Sequence, residues 1–185
     1  MTVLTLTVAL PLALALAAPL QSPAPAASPA ARPFRRLSPV EREVLHELTM
    51  LPRYGVFDNI SFKVEPNGMV TLMGQVRNGS LRSDAEAAVK DVEGVKEIKN
   101  EIEILPPSSQ DDQIRLAIYR SIYGTAGLER YALQAVPPIH IIVRSGRVTL
   151  EGVAASEMDK NLAGIKAREV GGTFEVKNNL AVEKD

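Results

Sequence analysis

The block Gly68-Met69-Val70-Thr71-Leu72-Met73-Gly74 returns 78 positions later as Gly146-Arg147-Val148-Thr149-Leu150-Glu151-Gly152, with five identities in seven. At the same offset, the run from Gly94 to Ile104 matches the run from Gly172 to Val182, with four identical and three conservative apolar pairs. No gap separates the two matching blocks. A further echo sets Leu51-Pro52-Arg53-Tyr54 against Leu128-Glu129-Arg130-Tyr131 at an offset of 77. A chain with this self-similarity is a tandem duplication, so one small unit must account for both halves.

The periodicity of each half gives that unit its element order. Val40, Val44, Leu48 and Leu51 recur at helical spacing, and Ser38-Pro39 ahead of them supplies an N-cap and a first-turn proline. Ile60, Phe62 and Val64 alternate as a strand, Pro66-Asn67-Gly68 turns, and Val70 and Leu72 open the return strand of a hairpin. A second helix is expected over Ser80 to Val92, stopped by Gly94, and Ile98, Ile102 and Ile104 mark a last strand. The second half repeats this order. Ile114, Ile118 and Ile122 line its first helix; Ile139 to Val143 and Arg147 to Ala154 form its hairpin. Ser156 and Asp159 resemble a capping box, and Glu175 to Val182 is the last strand. Extra residues from Gly124 to Pro138 distinguish the second half and predict a short helix over Leu128 to Ala135.

Residues ahead of the repeats read differently. Val3 to Ala18 is a Leu/Ala/Val run, with small residues at Ala15 and Ala17, and predicts an export sequence over residues 1–18. No Lys or Arg precedes it, so an uncleaved N-terminal anchor is the alternative. Ten of the fifteen residues from Pro19 to Pro33 are Pro or Ala, which reads as a semi-rigid linker over residues 19–36. The two domains are expected at residues 37–105 and 106–185.

Composition narrows the function. Lys and Arg number 21 against 22 Asp and Glu, so the chain lacks the basic surplus of a nucleic-acid binder. With no cysteine there is no thiolate nucleophile or thiolate metal site. His46 and His140 stand alone, without a paired nucleophile or a metal-ligand spacing. The glycine closing each Val-Thr-Leu-x-Gly block suits a bulge or a close backbone approach rather than a phosphate cradle, and Asn100 and Asn178 read as local turn residues. These features predict neither a catalytic site nor a cofactor or metal site.

Together, the x-Gly-x-Val-Thr-Leu-x-Gly motif, the Ala-rich helix and the Gly-Val-x-x-Val-x-Asn-x-Leu/Ile-x-Val motif resemble the BON domain (bacterial OsmY and nodulation). The motifs fall at 67–76 and 94–104 in the first copy, and at 145–153 and 172–182 in the second. The resemblance implies an α+β fold of two tandem small domains. Each would run helix–strand–strand–helix–strand, with a three-stranded mixed sheet packed against two helices. It also implies a non-catalytic module of the bacterial envelope, periplasmic or secreted. The implied roles are association with phospholipid surfaces and support of envelope integrity under osmotic stress; protein–protein contact or scaffolding in an envelope or secretion assembly is the alternative. The insertion and Gly171-Gly172-Thr173 depart from the family pattern.

A membrane or partner contact is expected in the second copy, at Arg115, Tyr119, Arg120, Tyr123, Arg130 and Tyr131. From Leu37 to Leu105 there are eight basic and twelve acidic residues, whereas from Pro106 to Asp185 there are ten of each. Tyrosines interleaved with arginines suit an anionic phospholipid surface or an envelope protein. The competing reading makes the tyrosines core and the arginines a rim over it. Finally, Ile139-His140-Ile141-Ile142-Val143 is apolar on nearly both faces, so it must be covered on both, by the other copy, the inserted segment or a partner, and most cheaply by the other copy.

Overall fold

A computed structural model describes residues 37–183. The expected export sequence and linker lie outside the described residues. The first repeat contains α1 (Pro39–Thr49), β1 (Asn59–Val64), β2 (Met69–Val76), α2 (Gly79–Lys90) and β3 (Glu97–Ile104). The second contains α3 (Ser109–Tyr123), a 3-10 turn (Glu129–Leu133), β4 (Ile139–Arg144), β5 (Arg147–Ala154), α4 (Glu157–Arg168), β6 (Glu175–Asn178) and β7 (Ala181–Val182).

Each sheet is mixed, with its middle strand antiparallel to the hairpin partner and parallel to the strand after the second helix. Val44, Leu48, Val70, Leu72, Leu81, Ala85, Val89 and Ile102 form the core of the first repeat. Their counterparts include Ile114, Ile118, Ile122, Val148, Leu150, Ala163 and Ala167. Helices enter under side-chain caps. Ser38 and Glu41 form a reciprocal capping box on α1, and Ser108 and Ser156 accept from the third residues of α3 and α4.

The repeated motifs have specific structural duties. Gly74 and Gly152 take φ of +122° and +108°, and a Cβ there would collide with the carbonyls of Asn59 and Pro138 across the hairpin. Each strand runs two residues past its glycine rather than ending on it. Asn100 and Asn178 do more than bond locally. Asn100 Nδ2 donates to Arg82 O (2.9 Å) and to Glu86 (3.0 Å), tying β3 to α2. Asn178 Nδ2 donates to Lys160 O (2.7 Å) on α4, in space left by Gly164 at the position of Glu86. Each Asn Oδ1 also accepts a backbone N–H two residues on.

Two expectations need correction. The last strand is continuous only in the first repeat. In the second, β6 ends at Asn178 and β7 resumes at Ala181 in the same register against β5, with Asn179 and Leu180 between them. The insertion forms only the 3-10 turn over Glu129–Leu133, shorter than the expected span.

β4 is buried on both faces from Ile139 to Val143, and the first repeat does much of the covering. Tyr54 stacks on His140 with ring centroids 5.5 Å apart. Val56 and Phe57 pack on the second core. Arg144 pairs with Glu103 at 2.5 Å, and Arg77 with Asp112 at 3.1 Å. The two repeats therefore share a seam.

Candidate functional site

The six expected contact residues fall into two groups and one outlier. Arg115, Tyr119 and Tyr123 recur along α3 one residue after the Ile114, Ile118, Ile122 stripe, and that flank turns toward the outer edge of β4. In a hairpin, alternate residues of the edge strand point both backbone groups away from the partner. On β4 these are Ile139, Ile141 and Val143. Tyr123 Oη donates to Ile139 O at 2.6 Å, and Arg115 Nη2 donates to Val143 O at 2.5 Å. Between them, Ile141 N donates to Val56 O of the first repeat at 2.7 Å. Three different groups thus plug one edge that would otherwise template pairing.

Arg115 is 2% exposed and Tyr123 6%. Arg115 Nη1 also meets Asp112 at 2.6 Å, while its Nε has no partner. Burial, with a smaller push from Tyr119, raises the Tyr123 hydroxyl well above its ordinary pKa, so it stays a donor. Tyr119 is half-buried between Tyr123 (centroids 4.8 Å) and Phe57 of the first repeat (6.1 Å).

Arg130 and Tyr131 form the second group. Tyr131 is buried; its hydroxyl donates to Asp159 Oδ2 at 2.7 Å and accepts from Ala155 N at 2.8 Å. Arg130 pairs with the same carboxylate, about half its side chain remaining in solvent. These bonds fix the inserted turn beside the start of α4. Leu133 and Met158, 86% and 77% exposed, project from those two elements. Arg120 is the outlier, exposed on α3.

The structure thus does not gather all six side chains on one open face. Arg115, Tyr123 and Tyr131 serve the fold, and Arg120, Arg130 and part of Tyr119 are exposed. Reasoning from sequence missed Leu133 and Met158, because a lone Leu in an inserted loop and a lone Met at a helix start carry no periodicity. It read Asp159 as a cap only, although the echo that aligns Arg130-Tyr131 with Arg53-Tyr54 had already marked its partners.

His46 is exposed on α1, and His140 lies in the seam with Nδ1 3.3 Å from Gly55 O. Burial lowers the His140 pKa, against the opposing pull of the Gly55 and Asp58 backbone and the Asp58 charge. Asp58 is raised, chiefly by burial, although Arg77 N–H donates to it at 2.8 Å. Among the described residues, no group of three or more His, Asp or Glu is placed to hold a metal ion. No helix among them is long and apolar enough to cross a membrane.

Two tandem modules, each a helix-backed three-stranded mixed sheet with a glycine-pinned hairpin and an asparagine-anchored last strand, define the class. The BON domain family model matches residues 42–106 and 110–184, and the chain belongs to that family. Among curated proteins it is similar to the outer membrane lipoprotein DolP of Haemophilus influenzae, with 27% identity over 109 residues. The match covers 56% of each chain, so this chain spans little more than half the length of that relative. Among solved structures, CdsD, a structural protein of the type III secretion system of Chlamydia trachomatis, aligns with 13% identity and a TM-score of 0.31. That alignment covers 77% of this chain and 91% of the other. A structure of the CdsD C-terminal domain aligns with 14% identity and a TM-score of 0.29, over 79% and 98%.

Proposed function

We propose that this chain is a non-catalytic envelope module that docks reversibly on anionic phospholipid surfaces through the second repeat and supports envelope integrity. The observation that carries the reading is the end of the second repeat where Leu133 and Met158 stand exposed beside the half-exposed Arg130. Large apolar side chains in water next to a guanidinium suit an interface, where the chains enter the acyl boundary and the cation meets phosphate. Membership of the BON family and the likeness to an outer membrane lipoprotein support an envelope setting. Residues 1–18 serve export and 19–36 tether the domains at 37–105 and 106–185. Mass measurement on protein from the envelope fraction checks that part, and an intact Met1 on cytoplasmic protein defeats it.

Arg120 and the half-exposed Arg130, which Asp159 already partly neutralises, supply weak, salt-sensitive attachment to an anionic surface. Co-sedimentation with phosphatidylcholine vesicles, with and without phosphatidylglycerol, tests the reading at low and high salt. Binding is expected only with phosphatidylglycerol and is lost at high salt. Arg120→Gln with Arg130→Gln should weaken it roughly tenfold or more, and Leu133→Ser with Met158→Ser should weaken it at any salt. Arg115 is excluded from the test because its loss disturbs β4. Binding indifferent to all four substitutions sinks the reading and favours an envelope protein as partner.

A further inference from the structure

The two repeats treat the outer edge of the hairpin in opposite ways. On β4, Tyr123, Val56 and Arg115 each occupy one outward group, Ile139 O, Ile141 N and Val143 O. The equivalent residues on β1 are Ile60, Phe62 and Val64, which oppose Gly74, Leu72 and Val70 as the β4 residues oppose Gly152, Leu150 and Val148. Among the described residues β1 pairs with β2 alone. Among the described residues, the bond on its outer edge is a long one, from Ile60 N to Tyr54 Oη at 3.5 Å. The plugging side chain is missing as well. Counting from the N-caps Ser38 and Ser108, the position of Arg115 on α3 is Leu45 on α1, and Leu45 is 42% exposed.

We propose that the β1 edge is a self-association surface, taken by β1 of a second copy of this chain in an antiparallel, two-fold pairing centred on Phe62. The strand is self-complementary in that register. Phe62 exchanges two backbone bonds with its own counterpart, and Val64 N–H meets the partner copy's Ile60 carbonyl. Side by side across the axis, Lys63 falls opposite Ser61 and Glu65 opposite Asn59, so no like charges face each other. An edge lysine ordinarily discourages pairing, but Lys63 is already neutralised within the strand by Glu65 at 3.0 Å. Leu45, exposed at the helix position that Arg115 holds in the second repeat, gives α1 an apolar side chain where α3 has a guanidinium. The result is a continuous six-stranded sheet joining two first repeats, and it leaves the second repeats free.

Sedimentation over a range of concentrations, combined with amide hydrogen exchange on the full chain, tests the pairing. The expected result is a mass that rises from one chain to two, with exchange at Phe62 and Val64 slowing about tenfold or more in step. Ile141 should be protected throughout. Leu45→Arg installs the plug of the second repeat, whose guanidinium takes the Val64 carbonyl. It should hold the mass at one chain, with the far-UV circular dichroism of the parent. A one-chain mass at every concentration overturns the proposal, as does a dimer in which Phe62 and Val64 exchange freely. Protection of those amides without a change in mass also overturns it, since the edge is then filled from within the chain.

Discussion

Arg115 shows how one side chain can carry the character of a surface residue and the duty of a core residue. Its guanidinium caps Val143 O and meets Asp112, which in turn reaches Arg77 of the first repeat. Arg115→Leu should cost about 2 kcal/mol by stranding that carbonyl, read as a lower urea midpoint at unchanged slope. Tyr131→Phe leaves Ala155 N–H without its acceptor and Asp159 with only Arg130 of the two side-chain donors it shares here, and should cost about 1–3 kcal/mol in the same assay. His140 adds a pH dependence. Its folded pKa lies below the ordinary 6.5, so the folded state resists the proton that the unfolded chain accepts. Its contribution is fully present above pH 6.5 and is lost as pH falls toward the lowered value. Asp58, raised above 3.8, works in the opposite sense and in a more acidic window. Stability measured from pH 7.5 to 5 should therefore decline on acidification, and His140→Asn should flatten the decline.

At the scale of elements, the repeated glycines are the most demanding positions. Gly152→Ala places a methyl group on the Pro138 carbonyl at a φ hostile to any Cβ, and should cost about 3 kcal/mol or more; thermal unfolding checks this. Asn178→Ala removes the tie to Lys160 O and the turn at Leu180, for an expected loss of about 1–2 kcal/mol. Helices, hairpins and core stripes were legible in the sequence because each rests on local periodicity and on residues such as Ser38, Pro39 and Gly94. The double-sided burial of β4 was legible too, as a run apolar on nearly both faces. What plugs its edge was not, since Arg115 and Val143 stand 28 positions apart, and Val56 and Ile141 come from different repeats. Nor does any pattern in Glu175 to Val182 announce the break at Asn179. The exposure of the candidate contact residues was not legible, since composition cannot tell a tyrosine that meets solvent from one that meets a carbonyl.

For the whole molecule, the seam makes two copies of one unit unequal. The second repeat borrows Val56 and Phe57 for its core and the Val56 carbonyl for its strand edge, whereas the first borrows no such plug for β1. Thermal unfolding of the full chain should thus show the second repeat melting with the first or after losing it. A fragment spanning 106–185 should melt well below the parent or aggregate through its bare β4, and a soluble fragment that melts at the parent's temperature would contradict the seam. The shared strand edge also changes what heredity can do with a duplicated unit. A substitution at Val56 or Phe57 lies in one repeat and is felt in the other, so the two halves cannot drift as separate lineages. Exchanging the first repeat for that of a relative would succeed only if residues 54–57 travelled with the β4 that they fit.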